Sequence, residues 1–307
     1  MRMSEIRVSS WLKPWDPAVS YDAALLSATF SNADRGIDES HAPADVIRGC
    51  FSDYTTYSSD YEVDFSGLMV TDLGMMVSSP RGTDLRIPNA GIELGSFLKL
   101  YPHTVPIVVG GDHSITAATG KSFCDARRNS QIGLIYFDAH RDVGPMAEDS
   151  PPVGATVRAL LQDCRNLRGS SIVEIGLHGF MDSPRDRDWA EENGIRTYTA
   201  RAVRHQGMAS ILANALGHDL DSVDAIYASV DIDVLAQGYA IGTGGRTSPD
   251  GIEPNDLLDA AYSLGQNRKV AMLDVAEYDP FRDVRDLTGR VCCSIVLAFL
   301  AGMRGRG

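Results

Sequence analysis

The chain contains few cysteines and no cluster of basic residues. Its five cysteines are odd in number and form no CxxC pair, so a reduced, intracellular protein is the simplest interpretation. Lys and Arg total 28 against 41 Asp and Glu, which gives a formal net charge of −13. Without a basic patch, neither nucleic acid nor an anionic membrane surface is an expected partner.

Long apolar runs are also missing. No run reaches the length of a transmembrane helix. The first five residues, MRMSE, begin without the continuous apolar stretch of a signal peptide, so we expect a cytoplasmic location. The spacings GxGxxG and Walker A are absent as well. We therefore interpret Gly110-Gly111 as a sharp turn and not as a phosphate loop.

The arrangement of apolar segments predicts the fold class. The chain has 307 residues, 44% of them hydrophobic, which is enough for a large core. Short, continuous apolar runs alternate with segments of helical spacing, a pattern typical of a mostly parallel sheet covered by helices on both faces. We predict one doubly wound α/β domain over residues 1–307, with 1–20 as an N-terminal extension. The predicted strands are 67–73, 105–110, 132–137, 171–177, 195–198, 225–230 and 270–275, and the predicted helices are 44–51, 90–100, 115–127, 157–164, 209–216, 255–264 and 287–303.

Candidate metal ligands occur in three short islands, each at the end of an apolar run. Residues two apart in an extended backbone share a face, so the ligands within an island point the same way. Four carboxylates and two imidazoles suit Mn²⁺ better than structural zinc, and four Asp favour two ions with bridging carboxylates. The alternative, unrelated carboxylates at strand ends, requires three islands to coincide. The ligands are His113, Asp138, His140, Asp142, Asp231 and Asp233.

The islands also follow predicted parallel strands. In open α/β sheets the ligand crevice lies at the carboxyl ends of the strands. His113, Asp138 and Asp231 each come directly after such a strand or within three residues of it. Glu277 follows a fourth strand and is expected at the same rim.

These islands resemble those of the ureohydrolase family, which includes arginase, agmatinase, guanidinobutyrase and formimidoylglutamase. The segments GGDHS, DAHRD and SVDID look like the family's metal-binding motifs, and a glycine-rich loop, 242–251, follows the last one. The likeness spans nearly the full chain, including APADVIR at 42–48 and TDLG at 71–74. It implies a single-domain, arginase-like three-layer fold, two Mn²⁺ per chain and a homo-oligomer, often a trimer or hexamer.

The resemblance further implies residue roles. An activated water would attack the sp² carbon of an amidinium or guanidinium group, and the intermediate would lose an amine. Asp142 and Glu277 are the candidate catalytic residues, with Glu277 paired to the cationic head group. Two four-ligand sites are implied, in which Asp138 and Asp231 bridge: His113, Asp138, Asp142 and Asp231 for one ion, and His140, Asp138, Asp231 and Asp233 for the other.

Within the family, the segments 231–237 and 277–290 look most like formimidoylglutamase. Arginases and agmatinases usually carry a histidine after the DAHxD island, where this chain has Val153, and valine cannot transfer a proton. We therefore expect hydrolysis of formimidoylglutamate to glutamate and formamide. The alternatives are a guanidino hydrolase that releases urea or a substituted urea, and a catalytically silent metal-binding relative. Ala236 stands where many relatives have Asp. This difference affects the pocket wall and no predicted metal ligand, so the sequence defines the reaction better than the substrate.

A small-molecule substrate with two carboxylates requires cationic groups at the distal end of its pocket. Arg158, at the position of a family arginine, is the first candidate, and Arg246 in the glycine-rich loop is the second. For each, an ordinary surface arginine is the alternative. His178 follows a predicted strand and is a candidate for the rim, with a structural histidine as the alternative.

Overall fold

The computed structural model describes residues 6–28, 43–78, 85–146 and 154–306. The strands are β1 (Lys13–Pro14), β2 (Ala23–Ala28), β3 (Tyr57–Ser58), β4 (Val63–Asp64), β5 (Val70–Ser78), β6 (Leu85–Ile87), β7 (Ile92–Glu93), β8 (Val105–Gly110), β9 (Ile132–Phe137), β10 (Leu167–Leu177), β11 (Arg196–Thr199), β12 (Ala225–Asp231) and β13 (Val270–Ala276). The α-helices are α1 (Val8–Trp11), α2 (Pro43–Cys50), α3 (Leu94–Leu100), α4 (Ser114–Ala126), α5 (Thr156–Asp163), α6 (Pro184–Glu192), α7 (Ala200–Gln206), α8 (Met208–Asn214), α9 (Pro254–Gln266) and α10 (Leu287–Met303).

Eleven strands of the described ranges form one sheet. Its order is β11-β10-β9-β12-β13-β8-β2-β5-β6-β7, with β1 beside β5. All neighbours from β11 to β5 are parallel, and β6 and β7 add an antiparallel edge. The predicted mostly parallel sheet is therefore confirmed. Within residues 1–20, β1 pairs in parallel with β5, and the boundary at residue 20 stays a prediction.

The two faces of the sheet carry separate hydrophobic cores. Alternate residues of a strand point to opposite faces. Accordingly, Ala23 and Leu25 of β2 pack in the core with α2 and α7 to α10, whereas Ala24 and Leu26 pack in the core with α3 to α6. The sheet thus lies between two helical layers, which confirms the predicted three-layer architecture. In the part of the chain that the structure describes, no helix is long and apolar enough to cross a membrane.

The predicted elements exist, with shifted bounds, and several further elements were not predicted. Strands 105–110 and 132–137 agree with β8 and β9, whereas 67–73 begins three residues before β5. The prediction missed β2, whose sequence AALLSA is rich in good helix formers but is buried between β5 and β8. It also missed α6 and α7. Helix α6 is largely charged, yet Pro184 is its first residue and the Ser183 side chain accepts a hydrogen bond from Asp186 N at 3.1 Å.

The sheet order explains how distant residues reach one site. Strands β9, β12, β13 and β8 are consecutive neighbours, and all four are parallel. Their carboxyl ends therefore meet at one edge, and each is followed by one of the predicted site segments. The predicted placement of these segments at a common rim agrees with the sheet order.

Candidate metal centre

His113 faces three carboxylates at this rim. Its Nδ1 lies 3.0 Å from Asp138 Oδ2, 3.0 Å from Asp142 Oδ2 and 3.4 Å from Asp231 Oδ2. Among the described residues, neither His113 Nδ1 nor Asp138 Oδ2 has an aligned hydrogen-bond partner, although both atoms are fully buried. Buried polar atoms that converge without hydrogen-bonding one another could hold a common cation.

His140 forms a second group around the same Asp138. Its Nδ1 lies 3.3 Å from Asp138 Oδ1 and 3.2 Å from Asp233 Oδ2. Asp138 thus presents one carboxylate oxygen to each group, as a bridging ligand does. Asp231 has one oxygen beside His113, while its Oδ1 accepts a hydrogen bond from Asp233 N at 2.8 Å. Bridging by Asp231 stays a prediction.

The charges of this cluster also fit two divalent cations. Burial, together with neighbouring aspartates, raises the pKa of Asp138 and Asp231 above the usual range. Burial disfavours a charged His140, but hydrogen bonds with Asp138 and Asp233 raise its pKa to about 11. Burying carboxylates this close together lowers the stability of the folded state unless positive charge lies nearby. Four ionised aspartates carry four negative charges, which two divalent ions would balance.

Backbone strain occurs at two residues of the site. Asp142 and Glu277 have φ values of 50° and 62°, in the left-handed region that non-glycine residues rarely adopt. Such conformations cost about 1 kcal/mol or more each and cluster at functional sites. At Glu277 the backbone is fixed on both sides, because its N donates to Gly111 O at 2.7 Å and its O accepts from Gly244 N at 2.8 Å.

The Glu277 side chain lies beside the first ligand group. Its Oε1 accepts a hydrogen bond from His113 N at 2.9 Å. Burial raises the pKa of Glu277 to about 7, against the effect of this hydrogen bond. The carboxylate is therefore fixed in position at the rim where the strands end.

A buried hydrogen-bond network holds the other ring nitrogen of His113. Its Nε2 lies 3.1 Å from Ser229 Oγ, which donates to Asp274 Oδ1 at 2.7 Å. The other Asp274 oxygen accepts from Thr116 Oγ1 at 2.7 Å and from Tyr227. Because the Ser229 proton points to Asp274, Nε2 of His113 is the donor to Ser229. The lone pair of a neutral ring then lies on Nδ1, which faces the carboxylates.

An open cleft of about 650 Å³ leads to the candidate ligands. It provides room for a small molecule above the metal-ligand groups. Among the described residues it is lined by His113, His140, Arg141, Asp142, Val143, Gly144, Gly154, Met181, Asp182, Asp186, Asp231, Asp233, Gly244, Gly245, Arg246, Glu277 and Arg282.

Arg158 and Arg246 were predicted at the distal end of the pocket and His178 at its rim, and of these three only Arg246 lines this cleft. The Nε of Arg158 donates to Val143 O at 2.8 Å, and its guanidinium lies 4.2 Å above the Trp189 ring. This packing, not a place in the cleft, explains the Arg158 side chain, so the structure gives no support for its predicted substrate contact.

His178 has structural contacts as well. Its Nδ1 lies 2.8 Å from Gly176 O and its Nε2 lies 3.1 Å from Thr247 Oγ1, which ties β10 to the glycine-rich loop. It is not among the cleft-lining residues. Val153 lies outside the described residues.

Several residues of the cleft and its surroundings were not predicted from the sequence. Arg282 lines the cleft and makes an ion pair with the buried Asp279, Nε to Oδ2, at 3.1 Å. Arg141, between two predicted ligands, also lines it and pairs with Glu174 of β10. Glu174 did carry a signal, because it is a single acid within the apolar run 171–177. For Arg282 the sequence contains no comparable signal.

Comparison with known proteins identifies relatives along almost the whole chain. Residues 21–302 match the model of the Arginase family. A formimidoylglutamase from Halalkalibacterium halodurans is 35% identical over 292 residues, which cover 94% of this chain and 89% of that protein. The solved formimidoylglutamase of Bacillus subtilis has a TM-score of 0.85 at 25% identity, covering 99% of this chain and 94% of that one. A formiminoglutamase of Trypanosoma cruzi, solved with Mn²⁺, has a TM-score of 0.84 at 19% identity, covering 99% and 100%.

Proposed function

Because the chain belongs to the arginase family of hydrolases, we propose that it is a binuclear manganese enzyme that cleaves formimidoylglutamate into glutamate and formamide. The observation that carries the proposal is the pair of ligand groups that share Asp138. The names of the relatives support the substrate, and the Mn²⁺ in the Trypanosoma cruzi structure supports the metal. A cytoplasmic location and a homo-oligomer, trimeric or hexameric, are part of the proposal.

The proposed metal ligands are those of the two groups. His113 and Asp142 would hold one ion, His140 and Asp233 the other, and Asp138 and Asp231 both. When bound, two Mn²⁺ would supply an activated water as a nucleophile at neutral pH. The ring orientation of His113 is already set by Ser229, so its ligand nitrogen is in place before an ion binds.

In the proposed reaction, the water oxygen bonds to the formimidoyl carbon and the bond from that carbon to the glutamate nitrogen breaks. The glutamate nitrogen gains a proton, and formamide is the second product. Glu277 would hold the cationic formimidoyl group by charge-assisted hydrogen bonds, since its carboxylate lines the cleft and is fixed by His113 N. A bound cation would also favour the ionised form of Glu277.

Asp142 is the candidate to move the proton. Its carboxylate lies at the cleft wall, and its Oδ2 is 3.0 Å from His113 Nδ1, within the first group of proposed metal ligands. A carboxylate in this place can pass a proton from the water to the leaving nitrogen. Val153 cannot perform this step, because its side chain has no titratable group.

Two arginines of the cleft are suited to the substrate carboxylates. Arg246 lies in the glycine-rich loop beside Gly245, and Arg282 approaches from the segment after β13. Asp279 is buried and pairs with the Nε of Arg282, which orients the guanidinium. We propose these two residues, in place of Arg158, as the distal cations.

Product analysis on the Mn²⁺-loaded protein tests the proposed function. Formimidoylglutamate, agmatine, 4-guanidinobutyrate, arginine and N-hydroxyarginine are offered separately. Formamide from formimidoylglutamate alone is the expected result, and Asp231→Ala is expected to abolish both metal binding and turnover. Urea or hydroxyurea from a guanidino compound would instead identify a guanidino hydrolase. No product from any compound with two ions bound would refute the enzyme assignment for these substrates.

The arginine assignment is tested by substrate truncation. Arg246→Ala and Arg282→Ala should each raise KM for formimidoylglutamate about tenfold or more, the range for a hydrogen bond to a charged group. Formimidoylalanine lacks the side-chain carboxylate of the substrate. The variant without the arginine that contacts this carboxylate should therefore show a smaller rise in KM with formimidoylalanine than with formimidoylglutamate. Arg187→Ala, at an exposed pair with Asp188 on α6, is the control and should not change KM. A raised KM in Arg158→Ala alone would contradict the assignment.

A further inference from the structure

Arg141 stands between two of the proposed metal ligands and reaches back into the sheet. Its Nη1 donates to Glu174 Oε2 at 3.0 Å, and its Nε donates to Asp182 Oδ2 at 2.6 Å. The Arg141 side chain is 10% exposed and that of Glu174 is 0% exposed, so this ion pair is largely shielded from solvent. The segment with His140 and Asp142 is thereby attached to β10 through a side chain that is not itself a ligand.

Glu174 is in turn held from both neighbouring strands. Tyr136 of β9 places its hydroxyl 2.9 Å from Glu174 Oε1, and Thr197 of β11 donates to Glu174 Oε2 at 2.9 Å. The Tyr136 hydroxyl also lies 3.1 Å from Arg141 O. We call Arg141, Glu174, Tyr136 and Thr197 the Arg141 anchor. It fixes both the side chain and the carbonyl of Arg141 to three parallel strands.

The Arg141 anchor is compatible with a neutral Glu174. Burial raises the pKa of Glu174 to about 8, against the effect of the Arg141 charge. A protonated Glu174 can donate to the Tyr136 oxygen, and Tyr136 can then donate to Arg141 O. Asp182 still balances the Arg141 charge, so each polar group of the anchor has a partner. The attachment therefore depends on hydrogen bonds more than on the Glu174 charge.

The segment 138–142, which carries three of the proposed metal ligands, needs such an attachment. Carboxylates within a few ångströms repel one another when no cation separates them, and this repulsion would move Asp138 and Asp142 apart. The backbone of Asp142 is also strained, at φ 50°. An anchor that is formed on folding keeps the ligands together in advance, so that less ordering accompanies metal binding.

We propose, on the basis of the proposed metal-dependent function, that Arg141 and Glu174 are positioning residues that set the Mn²⁺ affinity of the centre. They act through the placement of His140 and Asp142 and not on the reacting atoms. Partners behind the ligands typically change metal affinity 10- to 100-fold, which gives the expected size of the effect.

The test measures Mn²⁺ binding directly, by isothermal titration calorimetry and electron paramagnetic resonance. Glu174→Leu and Arg141→Met should each raise the Mn²⁺ Kd about 10- to 100-fold. Glu174→Gln can keep every hydrogen bond of the anchor and should stay within about threefold of the unchanged protein. Both substitutions remove the same connection. The Mn²⁺ Kd of the double variant Arg141→Met/Glu174→Leu should therefore lie within about threefold of the Kd of the single variants. Asp53→Asn, in the exposed pair with Arg290 at 2.7 Å, is the control and should keep the original Kd.

The outcomes separate this inference from the proposed function. Variants that fold, have a lowered Tm and bind Mn²⁺ with the original Kd would make the anchor merely structural and overturn the inference. Failure of the unchanged protein to bind Mn²⁺ or to hydrolyse formimidoylglutamate would refute the proposed function instead. If Glu174→Leu does not fold, Thr197→Val removes the two hydrogen bonds that Thr197 Oγ1 makes with Glu174 and Arg141, and it should still weaken Mn²⁺ binding about two- to tenfold. An unchanged Kd in that variant and in Arg141→Met would refute the inference.

Discussion

A single added methyl group should disrupt the proposed second metal site. Gly245 lies in the glycine-rich loop, and a Cβ at this position would be 2.1 Å from Asp233 Oδ2. Ordinary van der Waals contact begins at 3.4 Å, so the carboxylate oxygen must move by 3.4 − 2.1 = 1.3 Å. Asp233 cannot simply rotate away, because its other oxygen accepts a hydrogen bond from Ala139 N at 3.2 Å. Gly245→Ala should therefore displace Asp233, a proposed metal ligand.

The displacement sets the size of the expected effect. A shift of about 1 Å in a catalytic group can cost about 100-fold in rate, and a disturbed metal ligand costs at least as much affinity as a lost outer partner, about 10- to 100-fold. We expect the Kd of at least one of the two Mn²⁺ ions to rise by that factor and kcat/KM for formimidoylglutamate to fall about 100-fold. Calorimetric titration gives the two Kd values separately, and formamide release gives the rate.

Gly238→Ala is the matched control for this variant. Gly238 is exposed, and nothing lies within 4 Å of a Cβ built there, so neither Kd nor kcat/KM should change. Both substitutions restrict the unfolded chain equally, so a difference between them reports on the site. Two Mn²⁺ bound at the original affinity in Gly245→Ala, together with the original rate, would refute the assignment of Asp233 as a ligand.

Two further measurements of stability test the proposed metal sites and the protonation of Glu174. Mn²⁺ at about 100 times its Kd should raise the free energy of unfolding by about 2.7 kcal/mol per site in urea titrations, and EDTA should reverse this; an equal gain in Asp231→Ala would contradict the proposed site. Because burial raises the pKa of Glu174 from 4.5 to about 8, the folded chain holds a proton there that the unfolded chain releases, and stability should fall as pH rises through this window. Metal-free Glu174→Gln lacks this contribution. Its free energy of unfolding should therefore increase relative to that of the unchanged protein from about pH 5 to about pH 9. If the difference between the two free energies stays constant over this range, Glu174 is ionised throughout.

Strands were predictable from the sequence where burial and local propensity agree. The runs that form β8 and β9 are continuous, rich in β-branched or aromatic residues and bounded by glycine or polar residues, so their bounds were predicted correctly. In β2 the local preference of Ala and Leu for helix conflicts with the strand that neighbouring strands impose. The charged helix α6 buries only Ala190, so its apolar pattern is too weak to detect.

The candidate metal ligands were easier to predict from the sequence than the residues that line the cleft. The proposed metal ligands lie within short islands at strand ends, so sequence spacing contains most of their geometry. The choice between Arg158 and Arg282 depends instead on how loops fold back over the rim, which no local pattern encodes. Helix α5 packs Arg158 on Trp189, whereas the segment after β13 brings Arg282 to the cleft.

The order of the central strands has a consequence for how the protein matures. Glu277 is synthesised 164 residues after His113, and the hydrogen bond between them joins β8 to the end of β13. A nascent chain that has reached Asp142 already contains four of the six proposed ligands, but β12 and β13 still have to insert between β9 and β8. Contacts this distant in sequence form late and slow the folding of a chain. Because β12 ends at Asp231 and Asp233 follows it, both proposed metal sites can be complete only after these strands have inserted. Metal binding at full affinity is therefore expected to follow the slowest contacts of folding.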